Sequence, residues 1–380
     1  MPALGADMDW GIVIEWLKQP GDALKRGDIV AVVETQKGAI EIEVFQDGVL
    51  DAIKVEPGRK VPVGEVLATI RGPGEAAEGS VKAPPVAEKP KPVTTPAPAV
   101  APMAPVPAGL RISPAARREA KRRGIDLTAT APGPDGIIGL REIESAAPVP
   151  ARAVGPKGLD LDEMRKAIAA VMARSKREIP HYYVSRVIDV GSLMDWLAGE
   201  NAKRSVEARL LYVVPLLKAA ALALKKAPQL NGRFEDGEFR PSEAVHIGAA
   251  TAIRGGGLIA PAIHDVDTLD LDLLMDKLRD LVARVRGGRL RSSELMDPTV
   301  TLSNLGEDTA DAMYPVIYPP QVAIIGCGAI VERPWIVDGV VVPRQIMTVS
   351  VAGDHRVSDG RMAAQFLNRL DTLLQAPGKL

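Results

Sequence analysis

His355 lies in Gly353-Asp354-His355-Arg356-Val357-Ser358-Asp359-Gly360, between a strand-like apolar run and an amphipathic helix-like run, where a fold can hold an imidazole rigid and exposed. A neutral imidazole, with an unperturbed pKa of about 6.5, can take a proton from a thiol or an alcohol near neutral pH. Asp359, four residues on, is one helical turn away and could orient or balance that ring. Ser303 ends another apolar run and precedes Asn304, Leu305 and Gly306. Its hydroxyl can donate to a developing oxyanion, or it can simply stabilise a turn. Lys37, in Glu34-Thr35-Gln36-Lys37-Gly38, would project from a hairpin tip, either as a solvated charge or as an attachment point. His181, His246 and His264 have no metal-like spacing and read as structural or channel-lining, so no metal is expected. Gly255-Gly256-Gly257 is too isolated for a nucleotide loop. Cys327, the single cysteine, sits in the apolar run Val322 to Ile330 and reads as buried filler in a reducing compartment.

Larger elements must hold these groups. A chain of 380 residues suggests two to three domains, and its 32 Pro and 35 Gly cluster in particular stretches that read as tether. With 47 Lys plus Arg against 48 Asp plus Glu, the net charge of -1 offers no general attraction to nucleic acid or to an anionic membrane. The start shows no secretory signal, and Lys218 interrupts the apolar run Leu210 to Leu224, leaving it short of a bilayer span. A cytoplasmic protein is expected.

Residues 1–72 read as short strands punctuated by glycine, with Ile40, Ile42 and Val44 alternating with Glu41 and Glu43 in the period of a half-buried strand. Residues 73–109 are Pro and Ala with scattered charge and lack the apolar content to order themselves. Extended at about 3.1 Å per residue, such a linker reaches on the order of 100 Å. Residues 110–146 open with Ser113 and Pro114 as a helix start, followed by Arg117, Arg118 and Lys121 on a basic helix stopping at Gly124. Without aromatic interleaving this patch suits an acidic protein surface better than nucleic acid. After a second linker, 147–157, residues 158–380 alternate helical and strand patterns. Helices are expected over 162–178 and 269–286, and strands over 181–190, 244–253, 300–303, 322–330 and 340–351.

Three resemblances accompany these readings. Residues 1–72 resemble a lipoyl domain, whose lysine, at the position of Lys37, carries lipoic acid in amide linkage. Gln36 and Gly38 depart from the usual Asp and Ala beside it. Ile112-Ser113-Pro114-Ala115-Ala116-Arg117, Gly124-Ile125-Asp126-Leu127 and Arg141-Glu142-Ile143 resemble a peripheral subunit-binding domain. Its basic residues, here Arg117, Arg118 and Lys121, would dock a 2-oxo acid decarboxylase or a dihydrolipoamide dehydrogenase, and Ile137 stands where a docking arginine is usual. Met164 to Ala169, Ile179 to Tyr183, Gly256 to Pro261, Leu302 to Gly306 and Asp354 to Gly360 occur in the order found in dihydrolipoamide acyltransferase cores. The implied architecture is multidomain: an all-β lipoyl hairpin domain, a small helical peripheral subunit-binding domain, and an α+β chloramphenicol acetyltransferase-like catalytic domain.

The family implies transfer of an acyl group, acetyl by preference, from the lipoyl arm to coenzyme A. A thiol of pKa about 8.5 needs a base to become an effective nucleophile. The resemblance assigns that work to His355, oxyanion stabilisation to Ser303 from a neighbouring subunit of a homotrimer within a larger core, and an orienting role to Asp359. Branched-chain or acetoin-type specificity, a non-catalytic docking subunit and a biotin-type carrier are the competing readings. Residues 307–318 stray from the usual pattern after Ser-Asn-Leu-Gly, where acyl specificity could be altered.

Overall fold

In the computed structural model the described residues are 1–2, 10–35, 38–72, 111–113, 116, 137–141, 161–252, 258–306 and 310–380. Lys37, Arg117, Arg118, Lys121 and both linkers lie outside them. The chain divides into two compact units, Met1–Glu75 with Pro156–Leu380, and Ala76–Gly155.

β-branched runs separated by tight turns build the first region from seven strands: β1 (Trp10–Trp16), β2 (Ala23–Leu24), β3 (Ile29–Thr35), β4 (Gly38–Glu43), β5 (Gly48–Ile53), β6 (Lys60–Pro62) and β7 (Ala68–Arg71). They form two layers, β6-β1-β3-β4 and β2-β5-β7, around Val13, Val33, Ile40, Leu50 and Val61. The expected alternation on β4 holds for Ile40 and Ile42, but Glu43 is buried as well. Its carboxylate is bonded to Ser293 of the other region, so a long-range partner overrides the local period. In the second unit, β8 (Arg111–Ile112) pairs in parallel with β9 (Ile137–Ile138). The Ser113 hydroxyl accepts from the Ala116 amide at 3.1 Å, the bond expected of a helix cap.

Residues 161–380 contain α1 (Leu161–Glu178), β10 (His181–Asp189), α2 (Gly191–Ala202), α3 (Val213–Leu224), β11 (Gly232–Glu235), β12 (Glu238–Pro241), β13 (Ile247–Ala249), β14 (Thr251–Ala252), β15 (Leu258–Ile259), β16 (Ala262–Ile263), α4 (Leu271–Arg286), β17 (Arg289–Arg291), α5 (Ser292–Met296), β18 (Val300–Asn304), β19 (Ala323–Val337), β20 (Val340–Asp354) and α6 (Gly360–Leu374). A mixed sheet runs β10-β20-β19-β18-β13-β16. The apolar helix α3 is buried in the core and packs against the amphipathic helices α4 and α6. Asp270 caps α4 by accepting from the Leu273 amide. Among the described residues no helix is long and apolar enough to cross a membrane.

Two expectations shift. The strand expected over 244–253 breaks after Ala249, where the Thr251 hydroxyl donates to the Ala249 carbonyl at 3.0 Å and competes with the ladder. β19 runs on to Val337, because its pairing with β20 continues to a hairpin tip where Ile336 and Val341 are exposed. Cys327 is fully buried, and burial pushes its thiol up to about 12, in keeping with a filler role.

Candidate active site

The β10–β20 register, with His181 opposite Asp354 and Tyr182 opposite Gly353, sets the surroundings of His355. A Cβ at Gly353 would collide with the Tyr182 ring, so glycine is needed for the tyrosine to lie across β20. Tyr182 meets the His355 ring edge-on at 5.1 Å between centroids. Its hydroxyl shares a 2.8 Å hydrogen bond with Ser358, and burial raises its pKa. The His355 amide donates to the Pro180 carbonyl at 3.0 Å, which fixes the loop, while the side chain is exposed. Among the described residues the imidazole has no hydrogen-bond partner.

Two carboxylates flank His355, and the structure gives them different work. Asp354 is wholly buried and takes both its oxygens to Arg356, with Nε at 2.9 and 3.0 Å and Nη2 at 2.6 Å. Arg356 in turn stacks its guanidinium on Phe234 at 3.9 Å. Asp359 caps α6, accepting from the Arg361 amide at 2.9 Å and the Met362 amide at 3.0 Å. Within one protomer its carboxylate therefore holds the helix start and does not bond the imidazole. Sequence reasoning missed Tyr182 and the Asp354–Arg356 pair. The available signal was Gly353, a glycine in a strand where another group comes close.

Ser303 lies on β18 and is buried, and Gly306 then adopts a φ of 81° as its amide donates to Asn304 Oδ1 at 3.1 Å. Asn304 is anchored by its side-chain amide to the Tyr212 hydroxyl at 2.8 Å. Ser303 pairs with Gly326, and Gly326 with Ser350, so two strand spacings and the five residues from Ser350 to His355 separate serine from histidine. At about 4.8 Å per strand and 3.3 Å per residue that is roughly 19 Å within one protomer. One copy of the chain does not bring the two together.

Ser303 opens into a mostly apolar cavity of about 320 Å³ walled by Ile168, Met172, Ile259 and Leu295. A second cavity, of about 610 Å³, is lined by Phe234 and Arg356. Leu295, Pro298, Tyr318 and Gln321 border both, so the two cavities adjoin across these residues. Thr301 and Gln321, in the wall of the Ser303 cavity, are joined by a buried 2.8 Å hydrogen bond. The remaining histidines are held by partners other than His355. His181 bonds the Ile179 carbonyl through Nδ1 and accepts from the Ile317 amide, and burial lowers its pKa. His246 packs on His264, which bonds Asp297 at 2.9 Å.

At the other candidate site, Thr35 and Gly38 are register partners of the β3–β4 hairpin, and Gly38 has a φ of 104°. The Thr35 hydroxyl donates to the Gly38 carbonyl at 3.1 Å. These are the residues that bracket Gln36 and Lys37.

Residues 155–380 match the family model described as 2-oxoacid dehydrogenases acyltransferase (catalytic domain). The chain belongs to that acyltransferase family. Residues 1–70 match a second model, described as biotin-requiring enzyme, which is the biotin/lipoyl carrier fold. The acyltransferase is 31% identical to the dihydrolipoyllysine-residue acetyltransferase component of the pyruvate dehydrogenase complex of Zymomonas mobilis, over 99% of this chain and 97% of the relative. It is 30% identical to the corresponding component of the acetoin cleaving system of Bacillus subtilis, over 100% and 98%. It is 31% identical to the lipoamide acyltransferase component of the branched-chain alpha-keto acid dehydrogenase complex of Pseudomonas putida, again over 100% and 98%.

Among solved structures, a probable dihydrolipoamide acetyltransferase from Listeria monocytogenes superposes with a TM-score of 0.53 at 29% identity, covering 56% of this chain and 91% of the other. The cubic core of a pyruvate dehydrogenase multienzyme complex superposes at 0.52 and 30% identity, covering 56% and 88%. A dihydrolipoamide acetyltransferase from Azotobacter vinelandii, whose structure addresses the role of a serine, a histidine and an asparagine in catalysis, gives the same scores and coverage. The acyltransferase domain thus has the fold of these multienzyme-complex cores.

Proposed function

We propose that the chain transfers an acetyl group between a lipoyl-lysine arm on Lys37 and coenzyme A, with His355 as base and Ser303 as oxyanion donor. The observation that carries this reading is the exposed His355 imidazole, without a hydrogen-bond partner among the described residues, together with Ser303 lining an apolar cavity of its own. The catalytic serine, histidine and asparagine named for the Azotobacter enzyme are spaced by 52 and then 4 residues, and Ser303, His355 and Asp359 are spaced identically. Two of the relatives above are acetyltransferases, which favours acetyl over a branched acyl group.

The coenzyme A thiol gives its proton to the imidazole and its sulfur attacks the acyl carbonyl carbon of the lipoyl thioester. Charge then develops on the carbonyl oxygen, where the Ser303 hydroxyl donates. Collapse breaks the bond to the dihydrolipoyl sulfur, which takes the proton back from the imidazolium. Asp359 is a positioning residue, fixing the start of α6 beside the His355 loop. The separation of Ser303 and His355 in one copy, and the exposure of His355, favour a site shared between two protomers of a trimer. In the wider assembly, residues 110–146 would dock the decarboxylase and dihydrolipoamide dehydrogenase components in the cytoplasm.

Competing acetyl, propionyl, succinyl and isobutyryl coenzyme A as donors to dihydrolipoamide tests the acyl preference. Acetyl is the preferred donor on this reading, and a preference for isobutyryl would move the chain to the branched-chain group. Ser303→Ala lowers kcat by about 10²–10³-fold with KM little changed, since the hydroxyl acts on charge present only at the transition state. Mass measurement on protein from its own cell gives an increment matching lipoylation on Lys37, absent in Lys37→Arg. A biotin increment, or none, removes the carrier part of the reading.

A further inference from the structure

We infer that β4 of the carrier domain and the β17–α5 segment of the acyltransferase domain form a docking joint that seats the arm-bearing hairpin against the outer wall of the Ser303 cavity. The inference rests on the lipoyl-transfer reading for its purpose, and on contacts of its own for its existence.

β17 does not join the acyltransferase sheet. It extends the carrier sheet, pairing in parallel with Ala39 opposite Arg289, Ile40 opposite Leu290 and Glu41 opposite Arg291. An edge strand carries a row of unsatisfied amides and carbonyls, and adding a strand is an economical way to recognise it. At this register Ile40 is buried in the carrier core and Leu290 in a cluster of the acyltransferase domain, and Arg291 is the register partner of Glu41.

Glu43 closes the joint. Its carboxylate accepts from the Ser293 hydroxyl at 2.5 Å and the Ser293 amide at 3.3 Å, and its own amide donates to the Ser292 hydroxyl at 3.2 Å. Leu295 and Met296 complete the contact by packing on the carrier core. The receiving segment is stiff, because Arg284 of α4 grips the buried Glu294 through both guanidinium ends at 2.6 and 2.5 Å.

The inner side of the same segment faces the chemistry. Leu290 packs with Ile259 and Val285, against which Ile168 and Leu295 are also packed. Ile168, Ile259 and Leu295 wall the Ser303 cavity. Residues 289–296 therefore present one face to the carrier and the other to the acyl site, and Gly38, which directly follows Lys37, begins the seated strand. Tethering supplies an effective concentration of about millimolar, so a modest joint is enough to select the pose and still release the arm for other stations.

The test uses the full lipoylated chain, its arm reduced beforehand to the dihydrolipoyl dithiol with a phosphine reductant, carrying Glu43→Gln and Ser293→Ala together. Two rates are compared: acetyl transfer from acetyl coenzyme A to the chain's own arm, followed by mass, and transfer to free dihydrolipoamide, which needs no docking. Loss of a charge-assisted bond pair lowers loading of the arm about tenfold, with turnover of free dihydrolipoamide unchanged. Equal rates for variant and parent on the arm overturn the joint, as does an equal fall in both rates. Hydrogen exchange at residues 289–291 reads the joint without activity: protection present in the parent is lost in the variant, and unchanged protection overturns it. A parent that transfers to neither acceptor but shows the protection change sinks the transfer reading and leaves the joint standing.

Discussion

His355→Ala lowers kcat for acetyl transfer to coenzyme A by about 10²–10⁴-fold, the usual range for removing a general base, while leaving the fold intact. The imidazole is exposed and, among the described residues, bonds nothing, so its loss opens no cavity and strands no buried polar group. Its packing is the edge contact with Tyr182, and its backbone is held by Pro180, which alanine preserves. The unfolding midpoint is therefore unchanged while turnover collapses. Turnover within a few-fold of the parent would show that another group takes the thiol proton.

Arg356→Met has the opposite signature, with stability falling first. Asp354 is wholly buried and its two oxygens are satisfied chiefly by Arg356, with one further bond from the Arg356 amide at 3.0 Å. Removing one partner of such a pair leaves a buried charge without its counter-ion and costs about 3–5 kcal/mol. For a domain of this size that lowers Tm by on the order of 10 °C. The double variant Asp354→Asn with Arg356→Met recovers part of the loss, because a neutral amide is far cheaper to leave in the same place. Differential scanning calorimetry on the three proteins decides the matter. A drop under about 2 °C in the single variant, or no recovery in the double, would show that the pair contributes little. Activity falls as well, since Asp354 and Arg356 bracket His355 in the chain and hold the end of β20 from which it projects.

The candidate site was legible where local chemistry sufficed. The Gly-Asp-His-Arg run between a strand and a helix marked His355, and a turn-forming Asn-Leu-Gly marked the end of the strand that carries Ser303. Alternation of Ile40 and Ile42 with Glu41 marked a half-buried strand after Lys37. Asp359 was legible as a carboxylate near His355, but its partners were not. Capping α6 depends on where the helix begins, which the structure sets at Gly360.

By itself, then, the amino-acid order determined the strand and helix periods, the candidate residues able to move protons or stabilise charge, and the family they belong to. These are properties of neighbours in the chain, where apolar period and turn chemistry act over a few residues. Only the tertiary structure decided that Tyr182 lies against His355, that Asp354 is neutralised by Arg356, that Ser303 and His355 stay apart in one copy, and that β4 is paired by β17. Each of these is a long-range register or a packing choice. A strand edge offers the same amides and carbonyls to any partner, so which one it takes is settled by the side chains that meet when the core closes.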